Sequence, residues 1–268
     1  MLFNSKRCGA AIPVLCFAVF CLSACSQEKV EPGDTLHDPL EISPDSDADK
    51  QSGNMDPDLF YRAEPDPVEV APENFHVLTD AGFIRLLHAE FPAGASIGLH
   101  SHPPTAMYVP EDCAIVYSEV NGEERRLDLH TGLCFLTDPI PDRLLSNPAD
   151  RKAELIIFEL RDTIRGHFDG PDPLVYDLRR FRQLGNNKLM RVLSLKLAVG
   201  DTTEAIALRP YVAWFSSGES VGILNADNSG GSTHTAAESP AFSDVSRRRI
   251  RFVNSGGNPL QLIIAENK

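Results

Sequence analysis

The sequence predicts an all-β body made of two copies of one unit, and three observations predict it. Arg85 to Gly94 lines up with Arg191 to Gly200 at an offset of 106 residues, and Asn147 to Glu159 lines up with Asn254 to Glu266 at 107. Two anchors with nearly the same spacing argue for an internal duplication. The third observation is the pattern within each unit, which consists of short apolar or alternating runs separated by turn residues. In the first copy these runs are Phe83 to Phe91, Cys113 to Val120, Arg125 to Leu129, Cys134 to Thr137 and Leu155 to Leu160, with Asn121-Gly122 as a hairpin turn.

Composition bounds the rest. The 268 residues are 42% apolar and 24% charged, with 25 basic against 38 acidic side chains and a formal charge of −13. An acidic surplus excludes a nucleic-acid binder that works by phosphate neutralisation.

The N-terminus reads as an address. Lys6 and Arg7 precede an uncharged, mostly apolar stretch from Cys8 to Ala24, which is too short and too early to be a spanning helix. It closes in Leu22-Ser23-Ala24-Cys25. This tetrapeptide resembles the bacterial lipobox, which implies removal of residues 1–24 and lipidation of Cys25 with acyl chains such as palmitate. Ser26 rather than Asp after that cysteine implies, by the same resemblance, an outer-membrane lipoprotein facing the periplasm.

Residues 25–74 read as a lipidated cysteine and a disordered linker. Between Ser26 and Asn74 there are seven prolines and fourteen acidic residues against three basic ones, with few large apolar groups, so the segment cannot offset its chain entropy by burial. Asp45, Asp47 and Asp49 alternate as in a calcium loop but lack its glycine turn and terminal glutamate. Most of the acidity therefore belongs to the tether.

The first unit is expected over 75–165, a connecting helix over 166–187 and the second unit over 188–268. The helix rests on Asp172 as cap, Pro173 in the first turn, apolar groups at Leu174, Leu178, Phe181 and Leu184, and a stop at Gly185. Loss of the signal segment leaves Cys113 and Cys134 as the unblocked cysteines, and an even pair in an oxidising compartment is read either as a disulfide or as two buried thiols. Tyr108 and Trp214 occupy equivalent positions in the two units and read as core aromatics. In the run Arg247 to Arg251, alternation places Arg247, Arg249 and Arg251 outward and Ile250 inward. Ser232 and His234 lie in a Gly/Ser-rich loop without a nucleophile elbow.

The first unit resembles the cupin superfamily. Gly94, five intervening residues and then His100-Ser101-His102 match the first cupin motif, and Gly132, Pro139, Pro141 and Asn147 match the second. The resemblance implies two double-stranded β-helix (jelly-roll) barrels. Metal-binding cupins use both first-motif histidines, a glutamate and a second-motif histidine. Here the glutamate window holds Ala106 and Met107, with Thr105 just before it, and Arg143 stands at the second histidine. In the second unit Ile206, Leu208 and Ile250 replace all three.

The histidine pair supports three readings. With Asp138 or Asp142 it would form a 2-His-1-carboxylate site for Fe, Mn, Zn or Ni. With Arg143 it would grip a small anionic molecule without metal. Otherwise it is a remnant. The functions that follow are a lipid-anchored, non-catalytic double cupin binding a small molecule or a protein partner with no cofactor, a metal-dependent enzyme of oxygenase or isomerase type using His100 and His102, or a structural module that forms homodimers.

Overall fold

A computed structural model describes residues 63–119, 122–164 and 168–268. The signal segment, Cys25, the alternating aspartates and the linker as far as Arg62 lie outside the described residues.

A short helix, α1 (Pro67–Val70), is followed by nine strands: β1 (Phe75–Asp80), β2 (Ile84–Phe91), β3 (Ser96–His102), β4 (Thr105–Tyr108), β5 (Cys113–Glu119), β6 (Glu124–Leu129), β7 (Cys134–Thr137), β8 (Ile140–Ser146) and β9 (Ala153–Leu160). They form two antiparallel sheets, β1-β2-β9-β4-β7 and β3-β8-β5-β6. The second copy repeats this order with α2 (Pro173–Tyr176), β10 (Phe181–Asn186), β11 (Met190–Leu197), β12 (Ile206–Ala207), β13 (Tyr211–Ser217), β14 (Ser220–Asn225), β15 (Gly231–Thr235), β16 (Ala241–Asp244), β17 (Arg249–Asn254) and β18 (Leu260–Asn267). Its sheets run β10-β11-β18-β13-β16 and β12-β17-β14-β15, the same topology strand for strand. The duplication predicted from sequence is thus a duplication of architecture.

The near-continuous apolar runs in β2, β9, β11 and β18 follow from burial on both faces. In β2, Leu87, Ala89 and Phe91 point into the first barrel, while Ile84 and Leu86 join a separate core between the barrels. In β11, Leu193, Leu195 and Leu197 fill the second barrel, and Met190 and Val192 face the same shared core. Tyr108 and Trp214 meet there, with ring centroids 6.0 Å apart. The five-stranded sheets therefore pack back to back.

Two polar devices recur in both copies. Asn147 donates from Nδ2 to the carbonyls of Phe91, Pro92 and Arg151 and accepts from Ala149 N, and Asn254 does the same with Leu197, Ala198, Asn258 and Gly256 N. Gly94 and Gly200, each in the tight turn after the second strand of its copy, take φ of +69° and +72°, where a side chain would be strained. These shared residues serve the framework.

Three expectations are corrected. Asp172 does cap a helix with Pro173 at its start, but the helix ends at Tyr176, and Phe181 to Asn186 is a strand paired with β11. The apolar spacing from Leu174 to Leu184 combined one helical turn with an edge strand. The linker also ends before residue 74, because Ala63, Ala71 and Asn74 are buried and α1 packs beside β3. Asp66, counted as part of the acidic tether, caps α1 and binds Arg85 through both carboxylate oxygens at 2.8 and 3.1 Å.

Cys113 and Cys134 are free thiols. Cys113 faces the first barrel interior and Cys134 packs on the core between the barrels, so the sheet separates them. Burial pushes the Cys134 thiol up to about 12, which keeps it protonated. The basic run pairs locally: Arg248 lies 3.8 Å from Asp244 and Arg251 3.9 Å from Glu204, while Ile250 is buried in the second core.

Candidate functional site

The site lies inside the first barrel, in a cavity of about 200 Å³. Its walls are largely apolar, including Phe75, Phe91, Ile115, Leu155 and Ile157, and its polar side chains include His100, His102 and Arg143. β3 and β8 bring these three together. His100 pairs directly across from Arg143, and irregularities in the register flank that pair on β3.

Each imidazole is held by its Nδ1. In His100, Nδ1 lies 2.8 Å from the carbonyl oxygen of Gly98, which can only accept, so Nδ1 carries the proton and Nε2 keeps the lone pair. That Nε2 is buried without a hydrogen-bond partner. Burial, reinforced by His102 and Arg143, lowers the His100 pKa to about 4, so the ring is neutral at pH 7. In His102, Nδ1 donates to Glu159 Oε1 at 2.8 Å, which in the neutral ring leaves Nε2 as an acceptor. The rings stand nearly perpendicular, with centroids 5.2 Å apart.

Glu159 is the residue that sequence reasoning missed. It is fully buried, and its other oxygen accepts from Arg85 Nε at 2.6 Å. Burial alone would raise its pKa, but the hydrogen bond from His102 and the Arg85 charge outweigh it, and the group stays ionised. The second copy shows which part of this chain is framework. Asp172, Arg191 and Glu266 repeat Asp66, Arg85 and Glu159, but Glu266 Oε1 accepts from the backbone of Arg209 instead of from an imidazole. The ion network therefore belongs to the fold, whereas its link to a histidine exists in the first barrel alone.

Arg143 lines the cavity. Its guanidinium carbon lies 4.7 Å from the centroid of the Tyr117 ring, its Nε is buried without a partner, and burial lowers its pKa. The carboxylates expected to complete a metal site are elsewhere, because neither Asp138 nor Asp142 lines the cavity. Asp138 is exposed beside Asn187 and Lys188, and Asp142 neighbours Arg143 on a strand, where adjacent side chains alternate between faces. Two nitrogen donors facing a guanidinium, with no acid in the wall, do not make a protein-held metal site.

In the second barrel apolar side chains stand where the first carries its polar cluster. Ile206 pairs with Ile250 as His100 pairs with Arg143, so the aligned replacements occupy the same places in the wall. Tyr211 takes the position of Thr105, and its ring meets Phe242 and Phe252 at 6.3 Å each. Tyr211, Phe242 and Phe252 thus belong to one buried apolar cluster inside the second barrel.

One further cluster was not anticipated. On the outer face of β2 and β9, His88, Glu90 and Glu154 bring ligand atoms within 4.8 Å of one another and could hold a metal ion. The Lys152 ammonium sits between the two carboxylates, 2.5 Å from Glu90 Oε1 and in contact with Glu154, where a cation would bind. Ser232 Oγ lies 3.2 Å from His234 Nε2, but the pair is on an exposed strand and the ring stacks on Phe242 at 4.3 Å.

No family model matches the chain, and no curated protein matches it. Solved structures do. AerE from Microcystis aeruginosa is 9% identical, with 72% of this chain and 91% of that one covered and a TM-score of 0.53. A variant of oxalate decarboxylase from Bacillus subtilis is 10% identical over 72% of each chain, with a TM-score of 0.49. A salicylate 1,2-dioxygenase from Pseudaminobacter salicylatoxidans is 12% identical over 69% and 70%, with a TM-score of 0.45. At such identities the likeness concerns the fold alone: the described body has a duplicated jelly-roll fold similar to that of AerE.

Proposed function

We propose that this chain is a lipid-anchored envelope protein whose first barrel binds a small organic acid without turning it over, while the second barrel is a filled support. One observation carries the reading. A neutral imidazole nitrogen, fully buried and without a partner, borders a cavity whose opposite strand offers an unpartnered guanidinium Nε. An unsatisfied buried polar atom costs free energy, and a ligand that satisfies it recovers that cost on binding. His100 Nε2 accepts, Arg143 donates and carries charge, and the remaining wall is largely apolar. A compact acid that also bears a hydroxyl or amide N–H matches all three. The lipobox-like tetrapeptide ending at Cys25 supports an anchor in the outer membrane, facing the periplasm.

The test is thermal unfolding with a panel of small hydroxy acids and aromatic acids. A ligand at about a hundred times its Kd stabilises by about 2.7 kcal/mol, a rise of about 5–10 °C for a body of this size. The rise is expected to vanish in Arg143→Ala and His100→Ala. No response to any acid, or the same response in both variants, contradicts the reading.

A second reading is favoured by one feature: both histidines have Nδ1 fixed and Nε2 available, as metal-ligating histidines do. In that case the bound molecule itself would have to supply the missing ligands. Stoichiometric Fe, Mn, Zn or Ni in the purified protein, lost in His100→Ala and in His102→Ala, would favour the metal-dependent enzyme.

A further inference from the structure

The three most exposed large hydrophobic side chains among the described residues occur within four positions: Val175 at 72%, Tyr176 at 60% and Leu178 at 68%. They lie on α2 and the turn after it. Leu178 borders a groove of about 670 Å³ whose rim carries Arg179, Arg182 and Lys196. The side chains of Arg182 and Lys196 make no ion pair or hydrogen bond among the described residues. Arg179 is only a secondary neighbour of Asp201, whose carboxylate is taken by Arg180. The surface thus offers apolar tips beside cations that the protein does not itself neutralise.

The duplicated fold supplies an internal comparison. At the equivalent places in the first copy, Val175 is Glu69, Arg179 is Glu73 and Lys196 is Glu90. Tyr176 and Leu178 correspond to Val70 and Pro72, and Arg182 to His76, so the framework demands neither the positive charge nor large apolar tips this exposed. We propose that this face of the second barrel docks onto an anionic phospholipid surface. Tyr176, Val175 and Leu178 would enter the interface, and Arg179, Arg182 and Lys196 would meet phosphates. The inference rests on the anchored reading for its setting, because a tethered body is held within reach of a bilayer. It is independent of the pocket. A second copy of the chain is the rival occupant, but the acidic face that would complement the groove already spends Glu90 and Glu154 on Lys152.

The described body from Ala63 to Lys268 lacks the signal segment and Cys25, so it reports on the surface without the lipid. In co-sedimentation, vesicles of phosphatidylglycerol and phosphatidylcholine in equal parts are compared with phosphatidylcholine alone. At about a factor of five per cation near the surface, the expected preference is at least about tenfold, and it is lost at high salt. Arg179→Glu with Arg182→Glu abolishes the preference, and Tyr176→Ser with Leu178→Ser weakens binding to both vesicles. All four positions border solvent or the open groove, and an unchanged melting temperature checks that the variants fold. Equal partition into both vesicles overturns the proposal, as does binding that survives these changes. A dimer dissolved by Leu178→Ser also overturns it, since the occupant is then a second copy. The acid response of the pocket is measured separately and is expected to be unchanged in these variants.

Discussion

Arg85→Ala is expected to destabilise the protein by about 3–5 kcal/mol and to lower its melting temperature by about 10 °C. The substitution leaves the Glu159 carboxylate, which has no exposed surface, with a single hydrogen-bonding partner, and removes the guanidinium that holds Asp66, the cap of α1. A buried charge that loses its counter-charge costs far more than the intact pair contributes. Arg191→Ala should cost a similar amount, because Glu266 is equally buried and Asp172 is held in the same way. The two barrels then differ in a second measurement. The double replacement Arg85→Met with Glu159→Leu removes both charges and should recover much of the lost stability, yet it deprives His102 of its anchor. Ligand response should therefore remain impaired in that variant, whereas Arg191→Met with Glu266→Leu should leave it intact. Chemical denaturation together with the acid panel checks both halves.

The second large effect is a pH dependence with a fixed sign. The folded His100 titrates near 4, against 6.5 in an unperturbed ring. Below about pH 6.5 the unfolded chain takes up a proton that the buried ring refuses, so the unfolded state binds more protons and stability falls as pH falls. The loss is complete below about pH 4 and amounts to about 3 kcal/mol, of which about 2 kcal/mol appears between about pH 7 and pH 5. Glu159 and Asp66 have lowered pKa values, so they add their own losses, but only at lower pH, near and below the usual carboxylate range. His234 is also lowered by burial and acts in the same direction as His100. The difference between wild type and His100→Gln isolates the first ring. The variant should show a flatter stability profile between pH 7 and pH 5, and an unchanged slope would show that the ring is accessible.

The parts that were legible in the sequence were those with local or periodic signatures. The runs at Cys134 to Thr137 and Phe83 to Phe91 correspond to β7 and β2, and the offset of 106 residues anticipated two barrels of one topology. His100, His102 and Arg143 could be aligned with cupin motif positions because strand spacing is preserved, and the structure places all three around one cavity. The Asp66–Arg85–Glu159 network was illegible because its members lie 19 and 74 residues apart. Asp66 also stands among acids and prolines, where composition reads it as solvated, and only the repeat shows its kinship with Asp172. The helix from Asp172 was overextended for a related reason. Its start has a local chemical signal, but its end is decided by the pairing of Phe181 to Asn186 with β11, which no window of the sequence contains.

Nitrogen-15 magnetic resonance of the His100 imidazole, with and without an acid that raises the melting temperature, tests the central claim most directly. The account predicts a neutral ring at about pH 7, protonated at Nδ1 and bare at Nε2. It further predicts that the Nε2 resonance shifts when the acid is added and stays still in Arg143→Ala. A proton already on Nε2, or a ring that does not respond to a ligand that stabilises the protein, would contradict it.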